Sequence, residues 1–134
     1  MFGVAVNWWA VIVSGIILMV LGAVWYSPFL FAKPWMRVTG RKMSEVGSPN
    51  VGYAIAMIAN LIIAYVLAVF VDKFGATTAS QGMMVAFWLW FGFTASASAM
   101  NYVFEGKSIQ LYAINMGQQL VGMLIIGGIL ATWH

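Results

Sequence analysis

Among the side chains able to hold a polar ligand in an apolar environment, four amides are prominent. Asn115, Gln118 and Gln119 lie close together, and with Gly122 they share one helical face at three- and four-residue spacing. Asn60 lies near the centre of another apolar run. Buried amides need hydrogen-bond partners. Two roles fit: the amides line a narrow cavity for a neutral solute, or they only staple helices together, as in many membrane bundles.

Two indole rings, those of Trp88 and Trp90, lie towards the middle of the third apolar run. Tryptophan prefers the membrane–water interfaces, and each indole N–H at this depth requires an acceptor. The pair could contact an apolar ligand such as a lipid, a quinone or a pigment. The other interpretation is that both rings fill space between helices.

The residue types needed for catalysis or metal binding are scarce. Ser96 and Ser98 have no histidine or internal lysine as a base, and Glu105 has no partner carboxylate. The chain has no cysteine, and its single histidine is the terminal His134. We therefore predict a protein that is not an enzyme and has no catalytic residues, cofactor or metal site.

The elements that position these residues follow from composition, since 63% of the 134 residues are hydrophobic and only 7% are charged. The charges leave four uncharged runs, each longer than the roughly 20 residues that span a bilayer. The sequence predicts an all-α membrane protein with four transmembrane helices in an up-down bundle, forming a single domain over 1–134. The predicted spans are about 4–26, 51–71, 80–102 and 109–133.

The distribution of charge predicts both the orientation and the kind of transport that is excluded. Four spans place both termini on one side of the membrane. Five Lys or Arg residues lie in the first and third loops, whereas the second loop, on the side of the termini, has only Lys73. We expect a bacterial inner membrane protein with non-cytoplasmic termini and a retained first helix. No charge lies within a predicted span, which disfavours ion-coupled transport. The basic residues are concentrated in a short connector rather than on a folded surface, so we predict no binding of nucleic acid.

The cytoplasmic loop 27–50 begins with an interfacial segment. Ser27 is predicted to cap a short helix with Pro28 at its first position, while residues 39–50 have the composition of a solvated linker. Aromatic and basic side chains in and before this segment are predicted to contact membrane lipids and their phosphates. The predicted anchor consists of Trp25, Tyr26, Pro28, Lys33, Trp35 and Arg37.

Small residues recur at helix-contact spacing in every predicted span. In the second span they follow one another at intervals of four: Gly52, Ala56, Asn60, Ala64 and Ala68. Such faces allow close helix packing, within one chain or between chains. We predict a scaffold or accessory subunit that forms a homo-oligomer or joins a larger membrane complex. The alternative is a small channel or carrier for a neutral or hydrophobic solute, formed between subunits and lined by the amides.

Short motifs along nearly the whole chain resemble the membrane family known as domain of unknown function 1761. The most specific is Gly22-x-x-Trp25-Tyr26-Ser27-Pro28-x-x-Phe31-x-x-x-Trp35 at the end of the first span. The remaining matches are Asn7-Trp8, Gly92-Phe93, Phe104-Glu105-Gly106, Leu111, Ile114-Asn115 and the stretch 127–133. The resemblance implies a small four-helix membrane protein and assigns no activity, ligand or site residue.

Overall fold

The structure, a computed structural model, describes residues 2–28, 30–40 and 49–133. Four helical spans are long and apolar enough to cross a membrane, which confirms the predicted all-α architecture. The first is α1 (Trp8–Trp25) and the second is α3 (Pro49–Lys73), with the short helix α2 (Ala32–Thr39) between them. The third span joins α4 (Ala79–Leu89), a π-helical segment (Trp90–Ala95) and α5 (Ser96–Phe104). The fourth is α6 (Ile109–Thr132).

Helix α1 begins four residues later than the sequence predicted. The side chain of Asn7 accepts hydrogen bonds from the backbone N–H groups of Trp9 and Ala10, at 3.0 and 3.3 Å, and so caps the helix. Gly3, at a φ of +70°, has a left-handed conformation that cannot continue a helix. The polar cap therefore fixes the helix start, although the apolar run begins earlier.

The chain between α1 and α2 differs from the predicted short helix, and the prediction that Ser27 caps it is wrong. The Ser27 hydroxyl donates back to the carbonyl of Val24 at 2.6 Å, and the backbone turns through Pro28. Helix α2 starts only at Ala32 and ends at Thr39, and it is followed by the C-cap residue Gly40, whose φ is +69°. Most of the predicted linker, 41–48, lies outside the described residues.

The third span is not the uninterrupted α-helix that the sequence predicted. It begins with a capping box, in which the Thr78 side chain accepts from the Gln81 N–H and the Gln81 side chain accepts from the Thr78 N–H. Six residues from Trp90 to Ala95 then adopt the wider π-helical winding. Such insertions re-aim the side chains that follow them.

Helix α6 is the centre of the molecule, because it contacts every other helix and the π-helical segment. Its closest neighbour is α4: a β-carbon added to Gly127 would lie 2.6 Å from the carbonyl oxygen of Gly82 and 2.8 Å from Ala86 Cβ. The two backbones therefore touch without intervening side chains. Gly82 with Ala86 and Gly127 with Ala131 form matching small-xxx-small pairs at this crossing.

Burial divides the bundle into two halves along its length. The half that contains the chain termini is here called the closed half, and it comprises 8–18, 64–73, 79–89 and 122–132. It holds most of the apolar core, including Leu67 and Ile126. The opposite half is here called the open half, and it comprises 22–28, 30–40, 49–61, 96–104 and 109–119. In that half α5 has no buried residue, and Val51, Tyr53 and Ile58 of α3 are exposed.

Candidate functional site

The open half is joined by a hydrogen-bonded network centred on Asn115 of α6. The Tyr26 hydroxyl, just after α1, donates to Asn115 Oδ1 at 2.7 Å. Asn115 Nδ2 donates in turn to the Tyr102 hydroxyl of α5 at 2.8 Å. One amide thus uses both of its polar atoms to connect three helices, which is the stapling role, one of the two roles considered for these amides.

Trp25, a predicted interfacial anchor, binds α6 directly beside this network, through the residue that precedes Asn115. Its indole N–H donates to the carbonyl of Ile114 at 2.9 Å. Its ring lies over Gly117, where an added β-carbon would be 3.4 Å from the ring, and contacts the Phe31 ring at 4.6 Å between centroids. The absence of a side chain at Gly117 gives the ring room to reach the α6 backbone.

Two further aromatic side chains connect the third span to α6. The Trp90 indole N–H donates to the carbonyl of Met116 at 3.1 Å, so it finds the acceptor that its depth requires. The Tyr112 hydroxyl donates to the carbonyl of Ala95 at 2.7 Å. Within the π-helical segment, the Ser96 hydroxyl donates to the Phe91 carbonyl at 2.7 Å. These bonds hold both ends of the π-helical segment.

Trp88 and Trp90 do not form one wall of a ligand site within this chain. The Trp88 side chain is 58% exposed and makes edge contacts with the rings of Phe87 and Phe91 on the outer surface of the span. Trp90 is half-buried and packs against the core. The structure brings only Trp90 towards the interior.

The remaining amides of the predicted stripe differ from Asn115. Asn60, Gln118 and Gln119 are half-buried, and none of them forms a hydrogen bond within the described residues. The Gln118 amide nitrogen lies 3.9 Å from the position of a β-carbon added to Gly22. Beyond them, Gly122 packs against Leu18 of α1, so the polar face ends there.

Four basic residues lie within the described part of the chain: Lys33, Arg37, Lys73 and Lys107. Lys33 and Arg37 of α2 are exposed, whereas Trp35 is half-buried and Pro28 is exposed in the preceding turn. Between α5 and α6, Lys107 Nζ lies 2.9 Å from Glu105 Oε2 and 5.2 Å from the centre of the Tyr102 ring. The hydrogen bond and the charge of Glu105 raise the pKa of Lys107 above its ordinary value, so that lysine stays charged.

This arrangement can bind other molecules through uncharged hydrogen-bonding side chains and through exposed cationic side chains. Among the described residues, no group of three or more His, Cys, Asp or Glu side chains is placed to hold a metal ion. The Ser96 hydroxyl, weighed above as a nucleophile, is engaged by its own helix. Asn60, Gln118 and Gln119 keep their hydrogen-bonding capacity for another molecule.

Several functional contacts escaped the sequence reasoning. Tyr102 marks the predicted end of the third span and Tyr112 lies in the fourth, but the sequence predicted no hydrogen bond for either hydroxyl, although a buried tyrosine hydroxyl usually finds a partner. The crossing of Gly82 and Gly127 was also missed. The repeated pattern of a glycine followed four residues later by alanine, in both helices, is the signal that would have found it.

Comparison with known protein families gives a match over most of the chain. The model of a family described as "Protein of unknown function (DUF1761)" matches residues 9–131, nearly the whole chain, and confirms the resemblance drawn from the sequence motifs. No curated protein and no solved structure gives a match.

Proposed function

This chain belongs to the DUF1761 family of proteins of unknown function, and from that premise we propose that it is a non-catalytic membrane protein that self-associates or joins a larger membrane complex. The contact surface for this association is the part of α3 in the open half, from Gly52 to Asn60. Its role is that of a scaffold or an accessory subunit, because the described part of the chain offers contact surface without a catalytic arrangement.

The observation that carries the proposal is the amide of Asn60. It lies near the middle of α3 and forms no hydrogen bond within the part of the chain described. A bilayer core offers no water to such a group, so the partner is supplied most readily by another protein surface. Interhelical hydrogen bonds of this kind are worth about 0.6 kcal/mol on average and up to about 1.7 kcal/mol.

The small residues of α3 support the same surface. Ala64 and Ala68 are buried within the chain, whereas Gly52 is exposed and Ala56 is half-buried. A β-carbon added to Gly52 would meet nothing within 4 Å. One end of the predicted stripe therefore serves internal packing, and the end near Asn60 is free for a partner helix to approach closely.

In the first experiment, the native membrane is gently solubilised, and the mass and composition of the particle that contains this chain are measured. We expect several copies, or this chain with other subunits. Replacing Asn60 by Leu is expected to lower the association constant about three- to eighteenfold, equivalent to one interhelical hydrogen bond. The matched control is Asn101→Leu, at an exposed amide of α5. A strict monomer with no recovered partner would contradict the proposal.

The second candidate function is a small channel or carrier for a neutral or hydrophobic solute. The half-buried Gln118 and Gln119, without hydrogen-bond partners among the described residues, favour it. The closed half is filled by side chains such as Leu67 and Ile126, so the route would run between subunits. Gln118→Leu should then abolish solute flux in liposomes and leave assembly intact, and unchanged flux would exclude the route.

The proposed location is a bacterial inner membrane with both termini on the non-cytoplasmic side. The basic residues support it, since α2 and Lys107 lie at the end of the bundle opposite the termini. A cysteine added after the last residue should react with a membrane-impermeant reagent on intact cells stripped of their outer membrane. Labelling only after lysis would show that the C-terminus lies on the cytoplasmic side and would contradict the proposed orientation.

A further inference from the structure

Helix α2 is held against the bundle by contacts at its beginning. Ala32, its first residue, is buried at 2% exposure. The preceding Phe31 packs its ring on Trp25, and Trp25 is hydrogen-bonded to the backbone of α6. The helix itself also contacts α6. Its orientation is therefore fixed by the bundle.

This attachment sets the depth of α2 in the membrane. Helix α1 rises about 26 Å between Trp8 and Trp25, close to the roughly 30 Å of a hydrocarbon core. Trp25 thus lies near one boundary of the hydrocarbon, which is where tryptophan is enriched. Because Phe31 packs on Trp25, α2 begins at the level of the lipid headgroups.

The outer surface of α2 is cationic. Lys33 and Arg37 are four residues apart, so they lie on one face of the helix, and both are exposed. Within the described part of the chain, Lys107 forms an ion pair with Glu105, and neither Lys33 nor Arg37 forms an ion pair with a carboxylate. Arg41 and Lys42 follow in the sequence and add positive charge to the same connector.

We propose that Lys33 and Arg37 form a binding site for the phosphate of an anionic phospholipid. Arginine can engage two phosphate oxygens at once, and lysine adds a second charge one turn away. A headgroup with net negative charge is preferred over a zwitterionic one, because the latter carries its own ammonium group. The site is separate from the proposed association surface, which lies on α3.

The test measures lipid retention by native mass spectrometry of the full chain in detergent with equal amounts of phosphatidylglycerol and phosphatidylcholine. The wild-type chain is expected to retain phosphatidylglycerol preferentially. In the double variant Lys33→Gln/Arg37→Gln, the ratio of retained phosphatidylglycerol to phosphatidylcholine should fall at least about fivefold, as expected when cationic side chains near a membrane surface are removed. The exchange variant Lys33→Arg/Arg37→Lys, which keeps both charges, should retain it.

The matched control is Lys73→Gln/Lys107→Gln, which removes the same charge elsewhere on the molecule. It should keep the preference, since Lys107 is paired with Glu105 and Lys73 lies at the end of α3. Equal loss in both double variants would assign the preference to net charge and overturn the site. Full preference in Lys33→Gln/Arg37→Gln would overturn it too. Failure of this proposal leaves the association through Asn60 untouched, because particle mass measures that separately.

Discussion

The closed half and the open half of the bundle are held together by different interactions. In the closed half, α4 and α6 touch through Gly82 and Gly127, and aliphatic side chains fill the space around them. In the open half, aromatic hydroxyl and indole groups donate to α6, as Tyr26 does to Asn115 and Trp25 does to Ile114. Packing stabilises one half, and polar staples stabilise the other.

The difference lies in which half keeps its contact-forming residues exposed. Lipid tails are as apolar as a core side chain, so helices in a membrane associate through close packing and hydrogen bonds. The closed half already uses its small residues internally. The open half keeps exposed small residues on α3 and an unbonded amide at Asn60, which are the features that a partner helix would use.

The largest expected effect comes from adding a side chain where α4 and α6 cross in the closed half. Gly82→Ala places a methyl group against the α6 backbone, whose carbonyl at Gly127 cannot move aside like a flexible side chain. We expect a loss of about 1–3 kcal/mol in the free energy of unfolding. The measurement is reversible unfolding in mixed micelles.

The matched control for that change is Gly92→Ala in the same span. A β-carbon at Gly92 would meet nothing within 4 Å, so this variant should be neutral or slightly stabilising. Equal destabilisation of the two variants would show that the crossing of α4 and α6 is not close, and it would remove the distinction between the two halves.

A smaller effect is expected from breaking the staple of the open half. Asn115→Leu removes the acceptor of Tyr26 and the donor to Tyr102, and we expect a loss of about 1–2 kcal/mol, as for two interhelical hydrogen bonds. A double-mutant cycle with Tyr26→Phe measures the coupling of the pair by the same unfolding method. Additive losses would mean that Tyr26 and Asn115 do not interact.

Much of the fold could be predicted because it depends on local composition. Four uncharged runs longer than a bilayer give four spans, whatever their neighbours are. The π-helical segment could not be predicted, since no residue between Trp90 and Ala95 is a helix breaker apart from Gly92. Its ends bond to α6 through Trp90 and Tyr112, which are tertiary contacts.

The candidate site could be predicted only in part. The rule that a buried amide needs a partner drew attention to Asn115, which forms two side-chain hydrogen bonds in the structure. Its two partners are 89 and 13 residues away in the sequence, so their identity depends on how the helices are arranged. The same rule treated Asn60, Gln118 and Gln119 alike, and only the structure separates them from Asn115.

The most direct test of the central claim uses the fact that the chain has no cysteine. Gly52→Cys places one thiol on the exposed small residues of the open half, and Ile12→Cys places one on an exposed position of the closed half. Each variant is oxidised in its native membrane and examined on a non-reducing gel. We predict a disulfide-linked dimer for Gly52→Cys and none for Ile12→Cys. Cross-linking through Ile12→Cys with none through Gly52→Cys would contradict association through the open half.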